Sequence, residues 1–117
     1  MVLSVNSTLS ALDAFGVGMQ VTANNVANAE TEEFKRSRSV FTEGAHDEVR
    51  VRIEKVDTPG PVVYEMEDDQ MVEKEHSNVD LAEEIPGTIP LQRGYEANLK
   101  MIQTQDEMLG SIIDLIS

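Results

Sequence analysis

The first 29 residues of the chain contain a single charged residue, Asp13, in a stretch with a helical repeat. A helix that faces water normally carries charged residues on its outer side. This stretch offers Ser, Thr, Asn and Gln instead, beside a stripe of apolar residues. Such a surface suits a helix that other protein covers on most sides, which a chain of 117 residues can hardly achieve alone. We therefore expect the helix to be an assembly element covered by neighbouring subunits.

The apolar stripe of this first helix has coiled-coil spacing. Its members follow one another at intervals of 4, 3, 4, 3, 4 and 3 residues, which is a heptad repeat. Gly16 lies in the stripe and Gly18 lies near it, and each glycine costs about 1 kcal/mol relative to Ala in a helix interior. The helix is therefore weak by itself, and it should end after Asn28. The stripe consists of Val5, Leu9, Leu12, Gly16, Met19, Ala23 and Val26.

Charge is concentrated in the middle of the chain. All nine Lys and Arg lie between Lys35 and Lys100, and the net charge is -13 with a pI near 4.3. An acidic balance argues against nucleic acid and anionic membranes as partners, because both attract positive potential. Nothing approaches the roughly 18 consecutive apolar residues of a membrane span. We expect buried termini around a solvated centre.

The middle of the chain predicts one β-hairpin. Residues 34–41 should be extended, and residues 49–56 alternate apolar and charged side chains as a half-buried strand does. A Pro- and Gly-rich turn follows at 58–61, and a second, weaker alternation runs through residues 62–66. The simplest interpretation pairs these two alternating segments. The acidic residues 67–76 are expected to form an exposed loop.

The C-terminal region predicts an interrupted helix. Asp80 can cap a short helix that ends at Pro86-Gly87, and a second helix should start near Pro90 and continue to the end of the chain. The long helix has a heptad stripe and a second apolar strip beside it. One of them can face the first helix, and the other requires neighbouring subunits to cover it. The stripe is Tyr95, Leu99, Ile102, Asp106, Leu109, Ile113 and Ile116, and the strip is Met101, Met108, Ile112 and Leu115.

These elements together predict a mainly α fold with a small β element. The long N- and C-terminal helices pair as a coiled-coil-like bundle, and a short β-hairpin occupies the middle. Residues 1–41 form the N-terminal helix and the extended segment that follows it. Residues 42–76 form a short insert of β structure and loop, and residues 77–117 form the C-terminal helical region. The first and last segments make one structural domain.

Catalytic chemistry finds little support in the sequence. The two histidines, His46 and His76, have no recognisable set of further metal ligands around them, and the chain has no cysteine. Asp68-Asp69 lacks the spacing of a calcium loop. No nucleophile motif or phosphate-binding loop is present. We expect no catalytic residue, no cofactor and no metal, and we expect the protein not to be an enzyme.

Two motifs at opposite ends of the chain resemble the flagellar axial proteins, which are the rod, hook and hook-associated family. The N-terminal motif is Ala23-Asn24-Asn25-Val26-Ala27-Asn28, followed by Thr31 and Phe34-Lys35. The C-terminal motif is Ser77-Asn78-Val79-Asp80-Leu81-Ala82-Glu83-Glu84, followed by Gln92-Arg93-Gly94-Tyr95-Glu96-Ala97-Asn98, Ile102-Gln103-Thr104 and Asp106-Glu107-Met108-Leu109-Gly110. The short middle is most similar to a proximal-rod protein of the basal body.

The resemblance implies a structural subunit of the flagellar basal-body rod that assembles through its terminal helices and transmits torque. It implies a periplasmic rod location, export through the flagellar type III apparatus without a cleaved signal, and an oligomer with itself and other rod subunits. Direct membrane insertion is not expected. The alternative is an assembly regulator or export-related protein that shares the helices but does not join the rod, and the interruption at residues 86–90 favours it.

The candidate assembly residues combine the stripes with the motifs. The amides of Asn24, Asn25 and Asn28 can donate and accept hydrogen bonds between subunits, or they can merely cap a helix end. Arg93 and Tyr95 can contact subunits, or they can be a solvated face with one core Tyr. The full candidate set is Leu9, Leu12, Gly16, Met19, Asn24, Asn25, Asn28, Phe34, Asn78, Asp80, Arg93, Tyr95, Asn98, Leu99, Ile102, Leu109, Ile113 and Ile116.

Overall fold

Two long helices and four short strands make up an elongated molecule. The computed structural model describes the backbone of residues 2–116 and the side chains of residues 5–116. The molecule measures 82 × 23 × 18 Å, and its radius of gyration is 21.0 Å, whereas a compact chain of this length would have about 13 Å. The elements are α1 (Val2–Ala27), β1 (Ser37–Glu43), a 3-10 turn (Ala45–Asp47), β2 (Val49–Lys55), β3 (Val62–Glu67), β4 (Gln70–Glu75) and α2 (Leu81–Ile116).

The two helices pack antiparallel at a short distance. Gly18 lies against Leu91, and Gly94 lies so close to Phe15 that an added Cβ would come within 2.7 Å of the ring. Glycine permits such an approach because it has no side chain. Further along, Gly16 lies next to Tyr95. Small residues, rather than interlocking aliphatic ones, therefore set the distance between the helices.

Only part of the heptad stripe of α1 faces α2, where Gly16 lies next to Tyr95, and this corrects the predicted coiled-coil-like bundle. Of its seven residues, Leu12 is buried, and Leu9 and Val26 are exposed. At 100° per residue, the stripe lies roughly 120° around the helix from the side that is buried. The buried side contacts both α2 and the β1–β2 sheet and consists mainly of small or polar residues. They are Thr8, Leu12, Ala14, Gly18, Val21, Thr22 and Asn25.

The strands form two separate antiparallel ribbons, which corrects the prediction of one hairpin. β2 lies where the alternation of residues 49–56 predicted a strand, but its partner is β1, with Phe41 opposite Val51. β3 pairs with β4, with Met66 opposite Met71. The segment expected to be a loop, 67–76, therefore contains a strand. A two-residue turn with positive φ at Asp68 and Asp69 joins β3 to β4, as in the tight turns of hairpins.

Helix α2 runs without a break from Leu81 to Ile116, so the predicted interruption is wrong. Both Pro86 and Pro90 lie inside it, although each removes one backbone hydrogen bond. Contacts on either side hold this segment helical, since Glu84 is buried before it and Leu91 packs on Gly18 after it. Asp80 caps the helix as predicted, because its Oδ1 accepts the Ala82 N–H at 2.9 Å.

Candidate assembly site

A buried asparagine joins the two ends of the chain. Asn25 is 1% exposed. Its Nδ2 donates to the Ser37 carbonyl at 2.6 Å, and its Oδ1 accepts the Ser37 N–H at 2.9 Å. The same Nδ2 lies 3.3 Å from Oε1 of Glu84 on α2. The side chain thus pairs with β1 as a neighbouring strand would, and it links α1, β1 and α2 at one point.

A second asparagine fixes the segment before α2. Asn78 Oδ1 accepts the Arg36 N–H at 2.6 Å, and its Nδ2 donates to the carbonyls of Val56 and Thr58 at 2.8 and 3.0 Å. Arg36 also extends to α2, where its Nη1 lies 3.7 Å from Oε1 of Glu84. We call Asn25, Arg36, Ser37, Asn78 and Glu84 the amide clamp. Its hydrogen bonds satisfy polar groups that are largely removed from water.

The β3–β4 hairpin is attached to the rest of the molecule at its base. Glu75 pairs with the Lys35 ammonium and accepts the Gly60 N–H at 3.0 Å. These contacts, first the hydrogen bond from Lys35 and then that from Gly60, lower the pKa of the Glu75 carboxyl below its usual 4.5. The backbone adds a hydrogen bond of 3.0 Å from the Glu33 N–H to the Glu75 carbonyl. Beyond this base, every residue of β3 is exposed.

Lys74 neutralises one side of the hairpin. Its Nζ lies 3.3 Å from a Glu65 carboxylate oxygen, and 3.7 Å from those of Glu32 and Glu67. The hydrogen bond to Glu65, followed by the charges of Glu32 and Glu67, raises the pKa of the Lys74 ammonium. The opposite side, which carries Tyr64 among others, has no such ion-pair network among the described residues beyond the base.

The C-terminal end of α2 exposes an aliphatic surface. Up to Gln105, the side of α2 that faces α1 is buried or half-buried. In the antiparallel pair, Gly18 of α1 lies opposite Leu91 of α2, and Phe15 lies opposite Gly94. Because both helices rise equally per residue, the start of α1 lies opposite about residue 107 of α2. Beyond that level, the same side of α2 becomes aliphatic and is uncovered. We call these exposed residues the free strip: Met108, Leu109, Ile112, Ile113, Leu115 and Ile116.

Helix α1 also exposes part of its apolar stripe. Leu9 is 50% exposed and lines an open groove of about 880 Å³ between α1 and β2. Val49 and Val51 line the opposite wall of that groove. Apolar surface of this kind is covered in stable assemblies and exposed in isolated subunits. Part of the apolar stripe of α1, including Leu9 and Val26, and the whole free strip therefore lie outside the intramolecular core.

The candidate assembly residues fall into three groups in the structure. Buried members are Leu12 and Asn25. Half-buried members are Gly16, Met19, Asn28, Phe34, Asn78, Tyr95, Asn98 and Ile102. Exposed members are Leu9, Asn24, Asp80, Arg93, Leu99, Leu109, Ile113 and Ile116. The structure brings Asn25 and Asn78 into the amide clamp, and it places the aliphatic residues from Leu109 onward in the free strip.

The three asparagines of the N-terminal motif have different surroundings. Asn28 Nδ2 donates to the Asn24 carbonyl at 2.8 Å, and Thr31 Oγ1 donates to Asn28 Oδ1 at 3.1 Å. These two contacts close the C-terminal end of α1, as the capping interpretation predicts. Asn25 points the other way, into the clamp. Contacts of Asn24 and Asn28 with another subunit stay a prediction.

Sequence reasoning missed three members of the amide clamp: Arg36, Ser37 and Glu84. Glu84 lies seven residues before Leu91 and so on the same side of α2, which was the available signal for an inward carboxylate. Nothing local distinguishes Ser37, because its backbone rather than its side chain makes the contacts with Asn25.

A protein-family model matches the C-terminal part of the chain, and individual flagellar proteins align with a segment of 41 residues. Residues 69–115 match the family model described as flagellar basal body rod FlgEFG protein C-terminal. Over 41 residues, the chain is 44% identical to the flagellar hook protein FlgE of Escherichia coli (strain K12) and 49% identical to that of Rhizobium meliloti (strain 1021). It is 46% identical over 41 residues to the flagellar basal-body rod protein FlgG of Bacillus subtilis (strain 168).

These alignments cover 35% of this chain, 10% of either hook protein and 16% of the rod protein. In the described residues, the clamped pair of terminal helices leaves apolar surface exposed. Over these segments, the chain is similar to the flagellar basal-body rod and hook family. Among the described residues, neither helix combines the length and apolar character needed to cross a membrane.

Proposed function

We propose that the protein is a structural subunit of the bacterial flagellar rod, which self-assembles through α1 and α2 and thereby transmits torque. The relatives are named as hook and basal-body rod proteins, and a structural role in the flagellum follows from that kinship. Its partners in this proposal are further copies of itself and other rod subunits. The proposal includes export by the flagellar type III apparatus and a location in the basal body. The short middle of the chain supports a proximal-rod position, which stays a prediction.

The free strip is the observation that carries this proposal. It extends the α1-facing side of α2 beyond the level at which α1 begins, and all six of its side chains are exposed. Burying one such aliphatic side chain contributes about 1.5–3 kcal/mol. A neighbouring subunit that covered several of them would therefore supply a strong driving force for association. The elongated shape supports the same conclusion, because a chain that buried its apolar surface internally would be compact.

The continuity of α2 removes the basis of the alternative function. An assembly regulator or export-related protein was favoured by a helix interrupted at residues 86–90, whereas α2 is helical through both prolines. A long, unbroken C-terminal helix is also what a subunit needs if it is to reach its neighbours. We therefore propose the rod subunit alone.

Substitution of Ile112 by Asp tests the assembly step. Ile112 lies near the centre of the free strip and is exposed, so Ile112→Asp should leave the fold of the single chain intact. In sedimentation velocity, we expect the wild-type chain to self-associate and Ile112→Asp to remain monomeric. The matched control is Gly110→Asp, which adds the same charge on the opposite side of the helix, where an added Cβ meets nothing within 4 Å. Equal association of all three proteins would contradict the proposal.

Imaging of basal bodies tests the role in the cell. A strain that lacks the chain should have missing or shortened rods, and the wild-type gene should restore them where Ile112→Asp does not. Intact rods in the deletion strain would exclude a structural rod subunit.

A further inference from the structure

The β3–β4 hairpin lacks the support that a two-stranded ribbon needs. An isolated hairpin of this size is at best marginally stable in water, and among the described residues this one contacts the rest of the molecule only at its base. One of its faces carries Val62, Tyr64, Met66, Met71 and Glu73, as the pairing of β3 with β4 requires. Tyr64 is 63% exposed and Met71 is 74% exposed. We call this surface the hairpin face, and a partner that covered it would stabilise the ribbon.

The charge of the hairpin restricts what that partner can be. Residues 62–75 contain six carboxylates against the single cation Lys74, a net charge of -5. Lys74 and Lys35 pair with the carboxylates at the base and on the other side of the ribbon. Glu73 and the turn residues Asp68 and Asp69 have no cation within 4 Å among the described residues. The partner must therefore offer cations beside a surface that tolerates apolar contact.

The same chain has such a surface on the outer side of the β1–β2 sheet. The register places Arg38, Val40 and Thr42 of β1 beside Glu54, Arg52 and Arg50 of β2. This is the side away from α1, because Ser39 and Phe41 on the other side lie against Gly18. We call these six residues the arginine face. Three arginines against one carboxylate give it a net charge of +2, in a chain whose total is -13.

The arginines are available for a second carboxylate. Their side chains are 63–67% exposed. Glu54 pairs with Arg38 at 2.8 Å and also with Arg52, and these hydrogen bonds, that from Arg38 first, lower the pKa of its carboxyl. Each guanidinium has five N–H donors in a planar fork that suits a carboxylate. Arg50 pairs instead with Glu48 at 3.4 Å. These two carboxylates still leave most of the donors of the three arginines for other acceptors.

From these two surfaces, we propose that the hairpin face of one copy docks on the arginine face of a second copy. The contact rests on the proposed self-assembly and identifies a site for it outside the two helices. Glu73 would pair with an arginine, and Tyr64 would lie under a guanidinium plane, a favourable cation–π geometry. The ribbons match in size, since strands of six and seven residues span roughly 20 and 24 Å.

The contact has a direct consequence for assembly. It joins two different surfaces of the same chain, so the hairpin of the second copy remains free to bind a third. Such head-to-tail contacts generate rings or helical filaments rather than closed dimers. A rod is a helical filament, so this geometry suits the proposed function.

Cysteine cross-linking tests the docking in the full chain. The sequence has no cysteine, so Met71→Cys on the hairpin face and Thr42→Cys on the arginine face each introduce a single thiol and leave the proposed charge pairs in place. When the two variants are mixed and treated with a short bismaleimide, we expect a cross-linked heterodimer that decreases as salt is raised. The control partner is Lys55→Cys, which is exposed on β2 but on the other side of the sheet. Because each variant has one thiol, a cross-link within one chain is impossible.

The outcomes separate this proposal from the proposed function. Chains that self-associate in sedimentation but give no more Met71–Thr42 cross-link than the Lys55 control would overturn the docking and leave the rod proposal standing. That result is also expected if a different subunit occupies the hairpin face. A specific cross-link that persists in Ile112→Asp chains would support the docking even if the free strip did not drive assembly.

Charge reversal provides a second, independent measurement. Glu73→Arg and Arg52→Glu should each lower the cross-linking yield several-fold, measured between thiols placed at Tyr64 and Val40 of different chains. The two reversed variants, mixed with each other, should recover most of the yield because the charges are again opposite. Failure of the mixture to recover it, when both single variants have lost it, would contradict the assigned pairing.

Discussion

The two halves of α2 have opposite relations to the rest of the chain. Between Leu81 and Gln105, the side facing α1 includes polar groups such as Glu84, which the amide clamp satisfies. From residue 106 onward every described side chain is exposed, and the aliphatic ones form the free strip. The intramolecular contact is therefore close and combines small, apolar and polar residues, whereas the surface left over is aliphatic. The buried polar contacts fix the geometry of the single chain, and the aliphatic surface is what the proposed assembly would bury.

Substitution within the amide clamp is expected to change the stability of the intramolecular contact more than any other substitution. Asn25→Ala would leave the Ser37 backbone and the Glu84 carboxylate without their partner in a buried site. A loss on the order of 3 kcal/mol in the free energy of unfolding is expected, because unpaired buried polar groups cost about 1–3 kcal/mol each. Urea unfolding followed by circular dichroism measures it.

The neighbouring residue is the matched control for the clamp. Asn24→Ala removes an exposed side chain of the same type one position earlier, with an expected change within about 0.5 kcal/mol. Should Asn25→Ala and Asn24→Ala prove equally stable, the clamp would not be what holds the two ends of the chain together.

Substitution of Gly94 and of Gly110 by Ala compares the two halves of α2 directly. Gly94→Ala places a Cβ 2.7 Å from the Phe15 ring, which itself packs against Phe41 at a centroid distance of 5.6 Å. Overpacking of this kind costs about 1–3 kcal/mol. Gly110→Ala meets nothing within 4 Å and should gain up to about 1 kcal/mol of helix propensity. Urea unfolding of both variants should therefore shift in opposite directions, and a shift of the same sign would mean that the close approach of the helices is not maintained in solution.

Local features of the chain were predictable from the sequence, and the pairing of its surfaces was not. The end of α1, the strand β2 and the Asp80 cap follow from short-range chemistry, and the structure confirms them. The alternating pattern predicts that residues 49–55 form a strand, but it does not indicate which other strand pairs with them, because that depends on tertiary contacts. The heptad stripe identified apolar residues of α1 correctly but not their partner, because small residues such as Gly18 occupy the intramolecular side.

The candidate site divides in the same way. The motif asparagines were identified from the sequence, but the separation of Asn25 from Asn24 and Asn28 depends on which side of α1 the β1–β2 sheet covers. The helix through Pro86 and Pro90 is a case of tertiary contacts overriding local preference. From the sequence, one can predict the cost of the two backbone hydrogen bonds that the prolines remove. The stabilising contacts of Glu84 and Leu91 on either side depend on the tertiary structure and cannot be predicted in this way.

The hairpin, like the end of α2, is poorly covered, and acid should separate it from the clamped region first. The pKa of Glu75 is lowered in the folded protein, so its stabilising contribution is present above the ordinary value of 4.5 and is lost as the pH falls through the lowered pKa. The effect is local and is the smallest of those described here. We expect the NMR amide signals of Glu33 and His76, at the hairpin base, to change below pH 4.5. Glu75→Gln should show the acid form of these signals at neutral pH, whereas Glu73→Gln, which removes a carboxylate from the same strand without an ion pair, should not. If the amide signals at the base of the hairpin respond identically in Glu75→Gln and Glu73→Gln, the Lys35–Glu75 pair does not attach the hairpin.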